Sequence, residues 1–196
     1  MSIYVNRVLN LKQIKAIGFD MDHTLVEYHA NEFEKLVHTK TIEKLISILG
    51  YPKKIKGLAF DSSLVIQGLV IDKKNGNTLK LSRFGKVKKA FHGIKELSFS
   101  ELQHQYRTMV IDLNDPNYQS LDTAFSISHG VLFMQLSDSL PEKGFENLAI
   151  DIKHMIDVCH RDGTLKNEVK NNVKKYIKQN SSIVETLEAF KESGKK

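Results

Sequence analysis

Two carboxylates spaced two residues apart, Asp20 and Asp22, are the residues of this chain best suited to chemistry. They follow residues 15–19, which are predicted to form a short buried strand. In extended backbone, residues i and i+2 project to the same side, so both carboxylates can reach one point beyond the strand. Converging carboxylates repel each other unless a cation or a shared proton relieves them. The pair therefore indicates a divalent-metal site for phosphoryl chemistry.

The elements that position this pair are expected to belong to an open α/β sheet, which binds ligands at the carboxyl ends of its strands. Near the other end of the sequence, Ser182 and Glu185 predict a capping box, and Gly194 predicts the end of the helix that follows it. A parallel sheet needs further strands, each reached through a crossover. A second strand is therefore expected after Gly194, so the sequence resembles one cut at that point.

Between these two pieces the patterns indicate a mixed module. Asn75-Gly76 predicts a β-hairpin, and a second turn at Phe84-Gly85 extends it to a small meander. Helical spacing of apolar residues is found at 41–49, before Gly50, and again at 145–159. Residues 118–136 are apolar and ambiguous between helix and strand.

The residues around the two aspartates, 19–25, resemble the first motif of the haloacid-dehalogenase superfamily. With the segments that follow, residues 16–194 resemble the cytosolic purine (IMP/GMP) 5′-nucleotidases. The matching segments are Gly18-Phe19-Asp20-Met21-Asp22 with Thr24-Leu25, Gly50-Tyr51-Pro52, Phe60-Asp61-Ser62, Gly68-Leu69-Val70-Ile71-Asp72, Gly76-Asn77 with Leu79-Lys80, His92-Gly93, and the 151–160 helix with Gly163 and Leu165-Lys166.

The resemblance implies an α/β fold with a haloacid-dehalogenase-like Rossmannoid core and an inserted α+β cap. Residues 1–30 would hold the first strand and its motif loop, residues 31–180 the cap, and residues 181–196 the return to the core. The core would be incomplete, because three later motifs of the family have no counterpart here. These are a Ser/Thr, a phosphate-binding lysine and an acidic pair, so the chain looks like the N-terminal part of a longer enzyme.

The resemblance also implies a Mg²⁺-dependent phosphatase that hydrolyses purine nucleoside 5′-monophosphates. Asp20 would attack phosphorus, and Asp22 would protonate the leaving oxygen and then activate water, which calls for a raised pKa of Asp22. Mg²⁺ would be held by Asp20 and the backbone carbonyl of Asp22. Thr24 would orient Asp22 through its hydroxyl group.

Asp151 and Lys153 are predicted to contact the nucleotide, because their helix resembles the family helix that lines the substrate pocket. The alternative is that both lie on the polar face of an amphipathic helix. Cys159 falls on the apolar stripe of the same helix, which predicts a core thiol rather than a catalytic dyad with His160.

Composition limits the partners that we expect. The net charge is +6, but the lysines are dispersed among acidic and apolar residues, so a nucleic-acid partner is not expected. No apolar run approaches the length of a membrane span, and no signal-peptide pattern opens the sequence. The single cysteine fits a reducing cytoplasm. The sequence leaves a homo-oligomer open.

Two rival functions stay open at this point. The first is a phosphatase or phosphotransferase of the same superfamily that acts on another phosphomonoester. The second is a non-catalytic nucleotide-binding or interaction domain that keeps the first motif as a relic. The presence of both Asp20 and Asp22 counts against the second.

Overall fold

A computed structural model of the protein describes residues 10–65, 68–121 and 126–196. It divides the chain into two compact units, one formed by Met1–His29 and Val173–Lys196 and the other by Ala30–Asn172. The second unit ends at Asn172, whereas the predicted insertion extends to residue 180. Residues 1–9 of the predicted first segment lie outside the described residues, as do residues 122–125 of the ambiguous stretch 118–136.

A five-stranded antiparallel sheet forms the centre of the second unit. Its strand order is β4-β3-β2-β1-β5. The strands are β1 (Leu69–Asp72), β2 (Asn77–Leu81), β3 (Val87–His92), β4 (Lys95–Glu96) and β5 (Tyr118–Leu121). The predicted hairpin and meander are confirmed, since β1 pairs with β2 and β2 with β3. The turn between β1 and β2 uses Gly76 at φ +70°, a backbone conformation that glycine adopts at low cost.

Seven α-helices are described. They are α1 (Ala30–Ser47), α2 (Phe99–Tyr106), α3 (Ile127–Ser139), α4 (Phe145–Arg161), α5 (Thr164–Asn171), α6 (Val173–Tyr176) and α7 (Ser181–Glu192). The predicted helix at 41–49 is the second half of α1, and the predicted stripe at 145–159 is α4. After α1, Gly50 has φ +67°, and the Tyr51 N–H donates to the Leu45 carbonyl, so a glycine in the left-handed region follows the helix end.

Both faces of the sheet are covered within the second unit, because alternate residues of β1 point to opposite sides. Leu69 and Ile71 pack in one apolar cluster with residues of α1, α3 and α4. Val70 packs in the other cluster, which includes Tyr106 of α2. Phe133 of α3, a fully buried aromatic side chain, belongs to the first cluster. Cys159 is fully buried on α4, which confirms the predicted core thiol.

In the first unit, the prediction of a buried strand at residues 15–19 is wrong. These residues have no regular secondary structure, and Phe19 is 40% exposed. They pair with one residue: Lys196 donates to the Lys15 carbonyl at 2.9 Å, and Ile17 donates to the Lys196 carbonyl at 2.8 Å. Two bonds in this order are the pattern of a parallel pair. A strand is stabilised by its neighbours, and the described residues supply a single pairing here.

The predicted capping box at Ser182 is also wrong. Helix α7 begins at Ser181 without a side-chain cap, and the Ser182 hydroxyl donates to Asn180 Oδ1 at 2.6 Å. A complete capping box stands instead at the start of α2, between Ser98 and Glu101. The α7 helix contacts the segment before the aspartates through Phe190, whose ring centroid lies 5.9 Å from that of Phe19.

The described part of the chain is thus a mixed α/β structure whose named strands pair antiparallel. The expected parallel core corresponds to no named strands among these residues. None of the described helices combines the length and apolar character that a membrane crossing needs.

Candidate functional site

The two aspartates lie at a compact backbone turn in the first unit. The Met21 carbonyl accepts hydrogen bonds from both Leu25 N (3.0 Å) and Val26 N (2.9 Å), and His23 N donates to the Val26 carbonyl at 2.8 Å. His23 has φ +59°, a left-handed conformation that is uncommon for a residue with a Cβ. Strained backbone of this kind clusters at functional sites. The turn fixes Asp22 at its start and leaves Asp20 just before it.

The two carboxylates have different surroundings. Asp20 is exposed, and its carboxylate accepts no hydrogen bond from the described residues. Asp22 is half-buried, and its Oδ1 accepts a hydrogen bond of 2.7 Å from the Tyr28 hydroxyl. An unengaged carboxylate is suited to attack an electrophile, whereas a held carboxylate is suited to exchange a proton at a fixed position. The two carboxylates therefore differ in exposure and in hydrogen bonding, and the roles expected from the sequence stay a prediction.

Tyr28 is a site residue that the sequence reasoning missed. Burial, followed by the hydrogen bond to Asp22 and its negative charge, raises the pKa of Tyr28 to about 12. The hydroxyl is therefore a protonated donor at neutral pH. The ring of His23 lies against that of Tyr28, with 5.4 Å between centroids. The available sequence signal was a tyrosine six residues after an aspartate, a spacing that belongs to no regular element.

Thr24, which was expected to orient Asp22, is exposed and makes no hydrogen bond to Asp22 among the described residues. The hydroxyl that reaches Asp22 is that of Tyr28.

The donors available to a metal ion at this turn are hard oxygen atoms, namely the Asp20 carboxylate and the backbone carbonyl of Asp22. Mg²⁺ prefers oxygen ligands and commonly binds through one or two carboxylates, with water and substrate phosphate completing its shell. The described residues contain no group of three or more His, Cys, Asp or Glu side chains that could hold a metal ion. The Asp20 carboxylate and the Asp22 carbonyl are therefore donors of the kind that Mg²⁺ prefers, and they would supply part of its coordination shell.

Asp151, a predicted substrate residue, lies on α4 in the second unit. Its Oδ2 accepts a hydrogen bond of 2.8 Å from the hydroxyl of Tyr51, a residue that is 3% exposed. Burial and this bond raise the pKa of Tyr51. Lys143 places its ammonium 4.8 Å from the centroid of the same ring. Asp151 therefore anchors Tyr51, which follows α1, to helix α4.

We expect Asp151→Ala to lower the free energy of unfolding by about 1.5–3 kcal/mol, because a hydrogen bond to a charged group is lost. In the Tyr51→Phe background the same substitution should cost little, since the bond is already absent. Urea unfolding followed by far-UV circular dichroism gives the four values of this cycle. Equal costs in both backgrounds would show that the Tyr51–Asp151 bond contributes no stability.

Lys153, the other predicted substrate residue, is exposed on α4. Its charge acts on His129 of α3, a residue that is 6% exposed. Burial, and to a smaller extent the charge of Lys153, lowers the pKa of His129 to about 4, while the charge of Asp157 acts in the opposite direction. The side-chain amide nitrogen of Gln119, Nε2, lies 3.5 Å from the ring nitrogen Nε2 of His129. Lys153 thus lies at the polar margin of the α3–α4 packing.

A polar cavity of about 430 Å³ opens at one end of the sheet in the second unit, and none of the predicted catalytic or substrate residues lines it. Beside it, the Tyr106 hydroxyl donates to Asp72 Oδ2 at 2.7 Å, and Asn77 Nδ2 donates to the Tyr106 oxygen at 2.8 Å. His92 Nδ1 is 2.9 Å from Asn77 Oδ1. These buried polar groups satisfy one another, so the network joins the first hairpin to α2. The residues that line the cavity are Asn75, Asn77, His92, Lys95, Leu97, Glu101, Gln105 and Asp138.

Comparison with known proteins gives a consistent result. The sequence profile of the 5′ nucleotidase family matches residues 3–196. A 5′-nucleotidase domain-containing protein of Dictyostelium discoideum is 24% identical, over 99% of this chain and 34% of the relative. The 5′-nucleotidase domain-containing protein 1 of Bos taurus is 26% identical, over 95% of this chain and 46% of the relative.

The human 5′-nucleotidase domain-containing protein 1 is 33% identical to this chain, but over 50% of the chain and 22% of the relative. The chain thus spans less than half of the length of each of these three relatives.

Proposed function

The chain belongs to the 5′ nucleotidase family, and on that premise we propose that it carries the nucleophile and the proton-transfer group of a nucleotide phosphatase. The reaction is hydrolysis of purine nucleoside 5′-monophosphates, with IMP or GMP as the preferred substrates. The observation that carries the proposal is the pairing of an exposed Asp20 with an Asp22 that is held through one carboxylate oxygen. The fold proposed for the whole protein is a haloacid-dehalogenase-type core with Ala30–Asn172 as its cap.

The chemistry is assigned to this chain's own side chains in two displacements. A carboxylate oxygen of Asp20 attacks phosphorus, the bond from phosphorus to the ribose oxygen breaks, and Asp22 gives its proton to that oxygen. A water molecule then attacks the aspartyl-phosphate as Asp22 takes the proton of the water. Phosphate leaves and both carboxyl groups return to their first state. Splitting the hydrolysis in this way replaces one difficult step with two easier ones.

A Mg²⁺ ion is proposed as the cofactor, held by the Asp20 carboxylate and the Asp22 backbone carbonyl. It would neutralise phosphate charge, so that an anionic nucleophile can approach phosphorus. The proposal is supported by the hard oxygen donors at the turn that holds the two aspartates (residues 20–26, the motif turn), which match the preference of this ion. The remaining ligands of a full shell are expected from water, substrate and residues outside this donor pair.

The substrate assignment rests on the resemblance to the cytosolic purine 5′-nucleotidases. We keep Asp151 and Lys153 as proposed nucleotide contacts, since α4 resembles the family helix that lines the substrate pocket. Lys153 offers an exposed ammonium. Asp151 Oδ2 is engaged by Tyr51, so its contribution to a nucleotide would use the other oxygen. A cytoplasmic location is part of the same proposal and is supported by the single, buried cysteine.

The experiment that tests the function is phosphate release by the full-length gene product from a panel of phosphomonoesters, with Mg²⁺ and with EDTA. The panel holds IMP, GMP, AMP, pyrimidine 5′-monophosphates and a sugar phosphate. We expect Mg²⁺-dependent release that is fastest for IMP or GMP. Faster release from a sugar phosphate would assign another substrate.

Two further outcomes distinguish the rival functions. Transfer of the phosphoryl group to an added nucleoside would indicate a phosphotransferase. Silence on the whole panel, together with nucleotide binding in a calorimeter, would favour a non-catalytic binding domain.

A further inference from the structure

Tyr28 makes a contact with the motif turn that the proposed mechanism has not yet used. Its hydroxyl donates to Asp22 Oδ1 over 2.7 Å, and no described residue hydrogen-bonds the other carboxylate oxygen, Oδ2. The two oxygens of Asp22 are therefore unequal. Because the carbonyl oxygen of a protonated carboxyl group is the better acceptor, the Tyr28 bond to Oδ1 favours placing a proton of Asp22 on Oδ2. The hydrogen bond fixes which oxygen of Asp22 handles the proton.

The backbone of Tyr28 is anchored independently of the motif turn. Tyr28 and Ile177 form an antiparallel bridge, in which His29 N donates to the Tyr176 carbonyl and Lys178 N donates to the Glu27 carbonyl, each at 2.8 Å. The Lys178 ammonium also pairs with the Glu27 carboxylate at 2.5 Å. The two backbone bonds hold the main chain on either side of Tyr28.

We propose that Tyr28 is a positioning residue that holds Asp22 with Oδ2 aimed at the leaving oxygen. The proposal rests on the proposed function, in which Asp22 is the acid and then the base. In the first step the Oδ2 proton goes to the leaving oxygen as its bond to phosphorus breaks. In the second step Oδ2 takes a proton from water. The Tyr28 bond to Oδ1 is kept in both steps, so the same oxygen works in both directions.

Two substrates with different leaving groups distinguish a loss of Asp22 positioning from a general disturbance of the site. The ribose oxygen of a nucleotide is a strong base and needs the proton of Asp22 as it leaves. The 4-nitrophenolate ion is a weak base and leaves with little help. The ratio kcat/KM reports the steps up to formation of the aspartyl-phosphate, which is where the leaving groups differ. We therefore compare kcat/KM for IMP and for 4-nitrophenyl phosphate in the full-length gene product.

In the Tyr28→Phe variant we expect kcat/KM for IMP to fall about tenfold, a part of the whole contribution of an acid catalyst. For 4-nitrophenyl phosphate we expect a change below about twofold, since little proton transfer is required. Phenylalanine keeps the ring and its packing and removes the hydroxyl alone. As a control, Lys178→Met removes the ion pair with Glu27 and leaves the Tyr28 hydroxyl, so both substrates should change by the same factor.

Two results would overturn the role of Tyr28. One is an equal loss on both substrates in Tyr28→Phe, which would mark a structural effect, and the other is no loss on either. Failure of the proposed function looks different, since the unaltered protein would then release phosphate from neither substrate.

Discussion

We expect the Asp20→Asn variant of the full-length gene product to release phosphate from IMP on the order of 10⁶-fold more slowly than the unaltered protein, the scale seen when enzymes lose their nucleophile. Asparagine has the shape of aspartate but lacks the anionic oxygen that attacks phosphorus. Asp20 is exposed and accepts no hydrogen bond from the described residues, so the substitution should leave the fold intact. The measurement is Mg²⁺-dependent phosphate release, with far-UV circular dichroism to compare the folds.

A second readout tests directly for the covalent intermediate on Asp20. Brief reaction with a ³²P-labelled phosphomonoester, followed by acid quenching, should leave label on the unaltered protein and none on Asp20→Asn. The matched variant is Asp22→Asn, which keeps the nucleophile. It should still become labelled by 4-nitrophenyl phosphate and should lose its label slowly, because no base activates water. Labelled Asp20→Asn protein would mean that another residue is the nucleophile.

The elements predicted correctly from the sequence are those specified by neighbouring residues. The Asn75-Gly76 hairpin is one, because two strands separated by a few residues determine their own pairing. Helix α4 is another, since its apolar residues recur at helical spacing over four turns. The burial of Cys159 followed from its place on that stripe. In each case the information lies within one window of sequence.

The elements predicted wrongly depend on partners that lie far away in the sequence. Residues 15–19 have the composition of a buried strand, but strand structure requires neighbours, and Lys196 alone pairs with them in the described part of the chain. Ser182 and Glu185 have capping-box spacing, yet the N-cap of α7 is Asn180, two residues before Ser182. The box at Ser98 and Glu101 shows that the motif forms where the helix start allows it.

The candidate site shows the same division. The Asp20 and Asp22 pair was visible in the sequence, since its spacing is short and its residue types are few. The contact of Asp22 with Tyr28 was not, because it depends on an irregular turn whose Met21 carbonyl accepts two hydrogen bonds. An irregular turn has no sequence period, so the pattern of residue types does not show which side chains it brings together.

The buried His129 gives the second large effect, an acid-dependent loss of stability. Its pKa is about 4 in the folded protein, against an ordinary 6.5, owing first to burial and then to Lys153, with Asp157 acting in the opposite direction. Between these values the unfolded chain binds the proton and the folded protein does not. Stability is therefore complete above pH 6.5 and falls as the pH falls toward 4. The gap corresponds to a loss of about 3 kcal/mol by pH 4.

We therefore expect His129→Gln to remove most of this acid sensitivity, because glutamine stays neutral at every pH and can still bond to Gln119. Urea unfolding at pH 7 and at pH 4, followed by far-UV circular dichroism because the chain has no tryptophan, gives the loss for each protein. The comparison uses the difference between the two pH values, so a general cost of the substitution cancels. The acid titration of His38, which is also buried, is common to both proteins and cancels too. His104→Gln, at an exposed position of α2, should keep the full loss of the unaltered protein. If His129→Gln loses as much stability as the unaltered protein between pH 7 and pH 4, then His129 does not carry the acid sensitivity.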